Sequence, residues 1–178
     1  QKIAELSLKE KDIRYREIFE GNFDGFVMVD LAGHVIDANQ AYCSIVGYTL
    51  EELKALDNFY VITAEKWQRW EQEEIWKKRL FFHGYSGLFE KEYIRKNGEI
   101  FPVELQAYAS YSIDGTLQFL WAVVRDITER KQAEEERESL ISTIQKSNAE
   151  LNVTYEQLLQ TEQELKSQNV ALTLSRES

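Results

Sequence analysis

Few side chains in this sequence are of types and spacings that do chemistry. His34 and His83 are the two histidines and Cys43 the single cysteine. His34 lies in an early β-patterned run and His83 just past a helical one. Cys43 sits in a short helical stretch, where a small buried thiol needs no reactive role. No His, Cys and Asp fall at metal-ligand spacing, no Gly-rich loop could cradle phosphates, and no Ser or Cys nucleophile has a His nearby in sequence. Neither histidine stands on a dimerising helix among acidic and basic neighbours, as a phosphoacceptor would. No catalytic and no metal-ligating residue is therefore assigned, and the chain reads as a regulatory module. Two groups keep functional interest. Glu74 falls on the same α-helical face as Trp67 and Trp70, while Trp76 and Leu80 face elsewhere. Either that helix is covered on more than one side, or Glu74 turns a carboxylate toward a polar cavity. The second group is Asp126-Ile127-Thr128, where a β-patterned run ends and a long polar helix begins. Asp126 and Thr128 are capping-type residues suited to the first free N–H groups of that helix.

The elements that must position these groups follow in order. Residues 1–20 read as a linker helix with Ile3, Leu6, Ile13, Ile18 and Phe19 as its apolar stripe, ended by Gly21-Asn22. Residues 26–31 and 34–38 form a hairpin about Ala32-Gly33. Asn39 caps a short helix over 40–46 that Gly47 stops, and Thr49 with Glu52 forms a capping box for a second. A longer helix covers 64–82. Residues 88–95 and 99–111 make a hairpin about Lys96-Asn97-Gly98, with Asn-Gly as a strong hairpin signal. Along it Glu90 and Glu92 alternate with Phe89, Lys91 and Tyr93, so one face is wet and one is core. A last strand follows the Asp114-Gly115 turn, over 117–124. The sum is an α+β domain of about 110 residues.

Composition changes sharply near residue 129. Nearly all of the nine Tyr, nine Phe and four Trp precede it, whereas 129–178 holds no Gly or Pro. The reading is a linker helix at 1–20, a globular domain at 21–128 and a helical rod at 129–178. A net charge of −10 and a pI near 4.8 offer no basic stripe for nucleic acid or anionic membrane. One cysteine and no membrane-length apolar run point to a reducing, cytoplasmic setting. The start at Gln1, without Met, suggests an excised piece of a longer protein, which would remove any targeting signal from view.

In the rod, Ile144, Leu151, Leu158, Leu165 and Leu172 recur at every seventh residue, the d position of a heptad. The a positions are then Ile141, Asn148, Tyr155, Glu162 and Asn169. Such a seam makes sense as a parallel two-stranded coiled coil, in which the Asn residues lower stability while favouring a dimer in fixed register. A homodimer is the expected assembly. A marginal coil attached to a folded domain suits switching between two close states.

The order of elements and their punctuation resemble the PAS sensory fold over roughly residues 15–131. The resemblance rests on Asp24-Gly25, Val29-Asp30-Leu31-Ala32-Gly33, Asn39-Gln40-Ala41 and Gly47-Tyr48-Thr49-Leu50-Glu51-Glu52-Leu53. The hairpin from Tyr93 through Asn97-Gly98 to Val103 and the closing Arg125-Asp126-Ile127-Thr128-Glu129-Arg130-Lys131 complete it. It implies a five-stranded antiparallel sheet flanked by helices, with a pocket between the concave face and the longer helix. The implied pocket residues are Phe89, Tyr93, Val103, Leu105, Ala107, Ala122 and Val124 from the sheet, and Trp67 and Trp70 from the helix. Haem-binding members use a helix His, and 64–82 has none. Blue-light members need a Cys at the start of the longer helix and a Gln on the last strand, where this chain has Val124. Haem and covalent flavin photochemistry are therefore not expected. Non-covalent flavin, a small apolar or aromatic metabolite held by stacking and by groups such as Tyr93 or Glu74, or no ligand at all remain open. The expected parent is a sensor histidine kinase, with a diguanylate cyclase second, whose effector domain lies downstream in the same chain; a ligand-free dimerisation, interaction or spacer domain and a flavin-dependent redox sensor are the alternatives.

Overall fold

The computed structural model describes residues 2–176, with side chains described over 10–172. The apolar positions Ile3 and Leu6 lie outside the described side chains. The chain divides into two compact units, Gln1–Glu129 and Arg130–Ser178.

In the first unit, helix α1 (Lys2–Glu20) leads into β1 (Gly25–Val29) and β2 (Val35–Ala38). Helices α2 (Gln40–Val46) and α3 (Leu50–Lys54) follow, then α4 (Glu65–Trp70), a π-helical segment (Glu71–Leu80) and the short α5 (Phe81–His83). The strands β3 (Phe89–Ile94), β4 (Ile100–Tyr111) and β5 (Leu117–Asp126) complete a five-stranded antiparallel sheet in the order β2-β1-β5-β4-β3. The last strand thus takes the centre of the sheet, next to the first. The second unit consists of most of α6 (Thr128–Arg176), a helix of 49 residues.

Local chemistry fixes the joints as expected. Asn39 caps α2 by accepting the Tyr42 N–H, and Gly47 ends the helix at φ 78°, a left-handed conformation that glycine enters without steric cost. Thr49 and Glu52 form both halves of a capping box on α3. Asn39 does more than cap. Its side chain is fully buried; Oδ1 also accepts the Phe26 N–H at 2.8 Å, while Nδ2 donates to the carbonyls of Phe19 at 2.8 Å and Asp24 at 3.1 Å. One amide therefore ties α1, β1 and α2 together. Asn39→Ala is expected to cost about 3 kcal/mol, from cap loss plus buried groups left unsatisfied; the urea midpoint should fall accordingly, and an unchanged midpoint would contradict this.

Cross-strand rows build the core face. Val29 lies beside Val35 and Leu120, and Leu105 beside Phe89 and Val124. Between these rows runs a third, Ala38–Val27–Ala122–Ala107, in which three of four side chains are single methyls. On α2's side the backbones approach closely, since a Cβ at Gly25 would sit 3.0 Å from the Tyr42 Cα. On the opposite face of the sheet Phe26, Tyr108 and Trp121 stack, with Tyr108 and Trp121 at 4.2 Å, and Phe19 of α1 packs on Phe26 at 6.0 Å.

The longer helix departs from the sequence expectation. Residues 64–82 do not form one α-helix, because Glu71–Leu80 is wound as a π-helix. With i→i+5 hydrogen bonds, residues four to five apart share a face. Glu71, Ile75 and Leu80 are the buried residues of this segment, and α-helical winding would put Leu80 about half a turn from Glu71.

Candidate functional site

A cavity lies between the small-residue row and the π-helical face. Its floor is Val27, Leu105, Ala107 and Ala122 of the sheet, and its roof is Glu71, Ile75, Trp76 and Leu80 of the π segment. Tyr42, Tyr93 and Phe59 close the sides. Its volume is about 40 Å³, room for roughly three waters. The void has a simple origin: Ala107 and Ala122 are direct cross-strand partners, so neither reaches up to meet the helix.

Of the residues proposed from sequence, Tyr93, Leu105, Ala107 and Ala122 line this cavity. Val103 and Val124 are fully buried in the core beside it. Phe89 is buried as well and packs against Trp70 at 5.9 Å, which in turn meets Trp67 edge-on at 5.5 Å. The Trp67 indole N–H donates to Glu92 at 3.2 Å. Trp67 and Trp70 thus form an aromatic cluster over β3 and are not among the residues that line the cavity. The Glu74 carboxylate accepts from Lys78 at 2.6 Å, a half-exposed pair one turn along.

The buried carboxylate is instead Glu71. Its two oxygens accept from Lys91 Nζ at 2.6 and 2.5 Å, and Nζ also donates to Thr63 Oγ1 at 3.2 Å. The side chain of Lys91 is fully inaccessible and that of Glu71 nearly so. The ammonium lies 4.9 Å from the Tyr93 ring and 5.8 Å from Phe59. Burial pulls the Lys91 ammonium below its ordinary range, and the Glu71 charge opposes that pull. Burial also raises the hydroxyls of Tyr42 and Tyr93, which interact with each other and feel the Glu71 charge; both therefore stay protonated through neutral pH. A signal for Lys91 existed in the sequence: it stands in phase with Phe89 and Tyr93, and a lysine at a core position requires a buried anion.

The second group sits where β5 ends. Asp126 Oδ1 accepts the Thr128 N–H at 2.9 Å and the Thr128 hydroxyl at 2.6 Å, and Oδ2 accepts from Arg95 at 2.6 Å. Arg95 also donates to the Ile45 carbonyl at the end of α2 and to Glu99 at 3.0 Å, and stacks 3.6 Å from the Phe101 ring. Ile127 is buried, with its N–H donating to the Pro102 carbonyl at 3.1 Å. Partial burial alone would raise the Asp126 carboxyl, but the hydrogen bonds from Thr128 and Arg95 outweigh it and hold the group below its ordinary 3.8. A depressed carboxyl adds stability above its unfolded value, and that stability is lost as pH falls through the folded value. The Thr128 amide signal in NMR is therefore expected to titrate with a midpoint below 3.8; a midpoint at or above that value would contradict the geometry.

The sequence profile of the PAS domain family matches residues 24–129. The chain belongs to the PAS domain family. This PAS domain is 26% identical over 143 residues to "Probable diguanylate cyclase DgcE" of Escherichia coli, covering 79% of this chain and 13% of that protein. It is 27% identical over 157 residues to "Sporulation kinase C" of Bacillus subtilis, covering 84% of this chain and 36% of that one. Among solved structures it resembles a domain of a sensory box sensor histidine kinase/response regulator from Geobacter sulfurreducens. There the TM-score is 0.52 at 28% identity, covering 67% of this chain and 96% of that one. The PAS domain is thus homologous to domains of signalling kinases and a cyclase, and the chain spans 13% and 36% of the two relatives named. Among the described residues no helix is long and apolar enough to cross a membrane, and no group of three or more His, Cys, Asp or Glu could hold a metal.

Proposed function

We propose that the chain is the sensory and regulatory PAS module of a multidomain signalling protein, a sensor histidine kinase before a diguanylate cyclase. Its parts are a linker helix at 1–20, the sensor at 21–128 and a signalling coiled coil at 129–178. The state of the cavity passes along β5 through Asp126, Ile127 and Thr128 into α6, which pairs in parallel with a second copy and drives an effector further along the same polypeptide. Cytoplasmic placement belongs to the same reading, as does the absence of nucleic-acid or membrane contact by this segment.

The observation that carries it is the seam of α6. Ile144, Leu151, Leu158, Leu165 and Leu172 are each at least half exposed, and Ile141 and Tyr155 are 43% and 60% exposed. With Asn148 they form one stripe along a single helix, an apolar surface that water disfavours and a second copy would cover. The route to it has physical support, since Ala122 of the cavity floor, Val124 of the core and the Asp126 cap lie on one strand.

Leu151→Cys places a thiol at a d position, where the two copies of a parallel coil face each other. Mild oxidation is expected to give an interchain disulfide, whereas Lys146→Cys, on the outer face, is not; equal yields would refute the seam. A ligand-free spacer is the second reading, and the small size of the cavity favours it. Flavin fits neither, because a cavity with room for roughly three waters does not admit a tricyclic ring.

A further inference from the structure

The chain carries two sulfur atoms, in Cys43 and Met28, its one cysteine and its one methionine. Cys43 is a poor target for oxidants: it is buried, and burial together with the Glu20 charge pushes its thiol up, away from the thiolate that reacts. Met28 differs on both counts. It is partly exposed on the face of the sheet turned away from the cavity, between its cross-strand partners Asp37 and Trp121. Its side chain lines an open groove of about 290 Å³, walled by Phe26, Phe119 and Trp121 of the sheet and by Tyr15, Ile18 and Phe19 of α1. A thioether needs no deprotonation before it reacts, so access governs its oxidation. The Tyr15 hydroxyl donates to Met28 Sδ at 3.9 Å, the long reach of a weak sulfur acceptor. An oxygen carried on Sδ toward Tyr15 would fill that distance and stand within ordinary O–H···O range of the hydroxyl. Burial and the Asp37 and Glu20 carboxylates hold that hydroxyl above its ordinary range, so it stays protonated as a donor. The end of α1 is anchored already, Phe19 by Phe26 and Asn39 and Glu20 by the Gln40 N–H. Tyr15, one turn earlier, reaches the sheet through Met28.

We propose that Met28 is a modification site, oxidised by a peroxide to its sulfoxide, which the Tyr15 hydroxyl then binds, fastening α1 to the outer face of the sheet. The sulfur lone pair attacks one peroxide oxygen, and an S–O bond forms as the O–O bond breaks. With hydrogen peroxide, the departing hydroxide takes up the proton of the transferred oxygen and leaves as water. Sulfur gives up two electrons and the peroxide gains them. Methionine sulfoxide reductases reverse the change. The step stands apart from whatever the cavity holds and acts through α1.

The test is treatment of the full 178-residue chain with hydrogen peroxide, read by peptide mass mapping and by amide hydrogen exchange along α1. One oxygen atom is expected on the peptide that holds Met28 and none on the peptide that holds Cys43; oxidation of Cys43 ahead of Met28 overturns the site. Exchange of the amides around Tyr15 should slow by roughly two- to tenfold on oxidation, the worth of one hydrogen bond. Treatment with methionine sulfoxide reductase should restore the starting rate. Tyr15→Phe separates the specific bond from a general effect of polarity: this variant should still take up the oxygen, but its α1 should exchange no more slowly than before. Met28→Leu, a substitution close in volume, should take up no oxygen and show no change in exchange. Faster or unchanged exchange in the oxidised protein overturns the proposal, and so does an equal slowing in Tyr15→Phe.

Discussion

Lys91→Met is expected to destabilise the first unit by about 3–5 kcal/mol, the penalty for leaving a buried charge without its partner. The ammonium is the counter-charge for Glu71 and is also held by Thr63, so its removal strands a carboxylate under the sheet. That penalty approaches the total stability of many domains, and the guanidinium midpoint should fall far or the cooperative transition should disappear. The companion experiment separates charge from packing. Glu71→Leu combined with Lys91→Met removes both charges in similar volume, and such replacements are commonly neutral or stabilising; most of the loss should be recovered. A double variant as unstable as Lys91→Met would show that the pair acts through its shape instead. If recovery is full, the pair is not needed for stability.

Leu151→Asp together with Leu158→Asp is expected to abolish pairing of α6 while leaving the PAS domain folded. Both leucines are about two-thirds exposed in the single helix, so the substitutions remove nothing from the first unit. In a dimer each would place two carboxylates against each other in the seam, and the dissociation constant should rise by roughly a hundredfold or more. Sedimentation velocity reads the loss of the dimer and a thermal melt reads the domain. Loss of the domain's own cooperative melt would contradict a boundary near residue 128.

Much of this architecture is legible in the sequence because it is set by local chemistry. Asn39, the Thr49–Glu52 box, Gly47 and the Asn97-Gly98 turn each announce a joint through a side chain or a backbone freedom that few other residues supply. Alternation along β3 and β4 gives the core face, and Asp126 with Thr128 gives the start of α6. The cavity was only half legible. Ala107 and Ala122 could be assigned to the inner face, but that they sit opposite each other depends on strand register, which fixes the void. The roof was misplaced by one assumption, the 3.6-residue period. On that period Trp67, Trp70 and Glu74 form one face; the π winding instead brings Glu71, Ile75 and Leu80 together, and no composition signal marks such a segment. Lys91 could have corrected this, since its in-phase position between Phe89 and Tyr93 demanded an acidic partner from the facing helix.

A native mass spectrum of the freshly purified chain, recorded under gentle ionisation, tests the central claim most directly, since it reads stoichiometry and retained mass together. The account predicts a dimer, and a small extra mass per subunit where the ligand has survived purification. A monomer of 20.9 kDa at tens of micromolar protein would contradict it, because α6 would then have no partner through which to pass a signal.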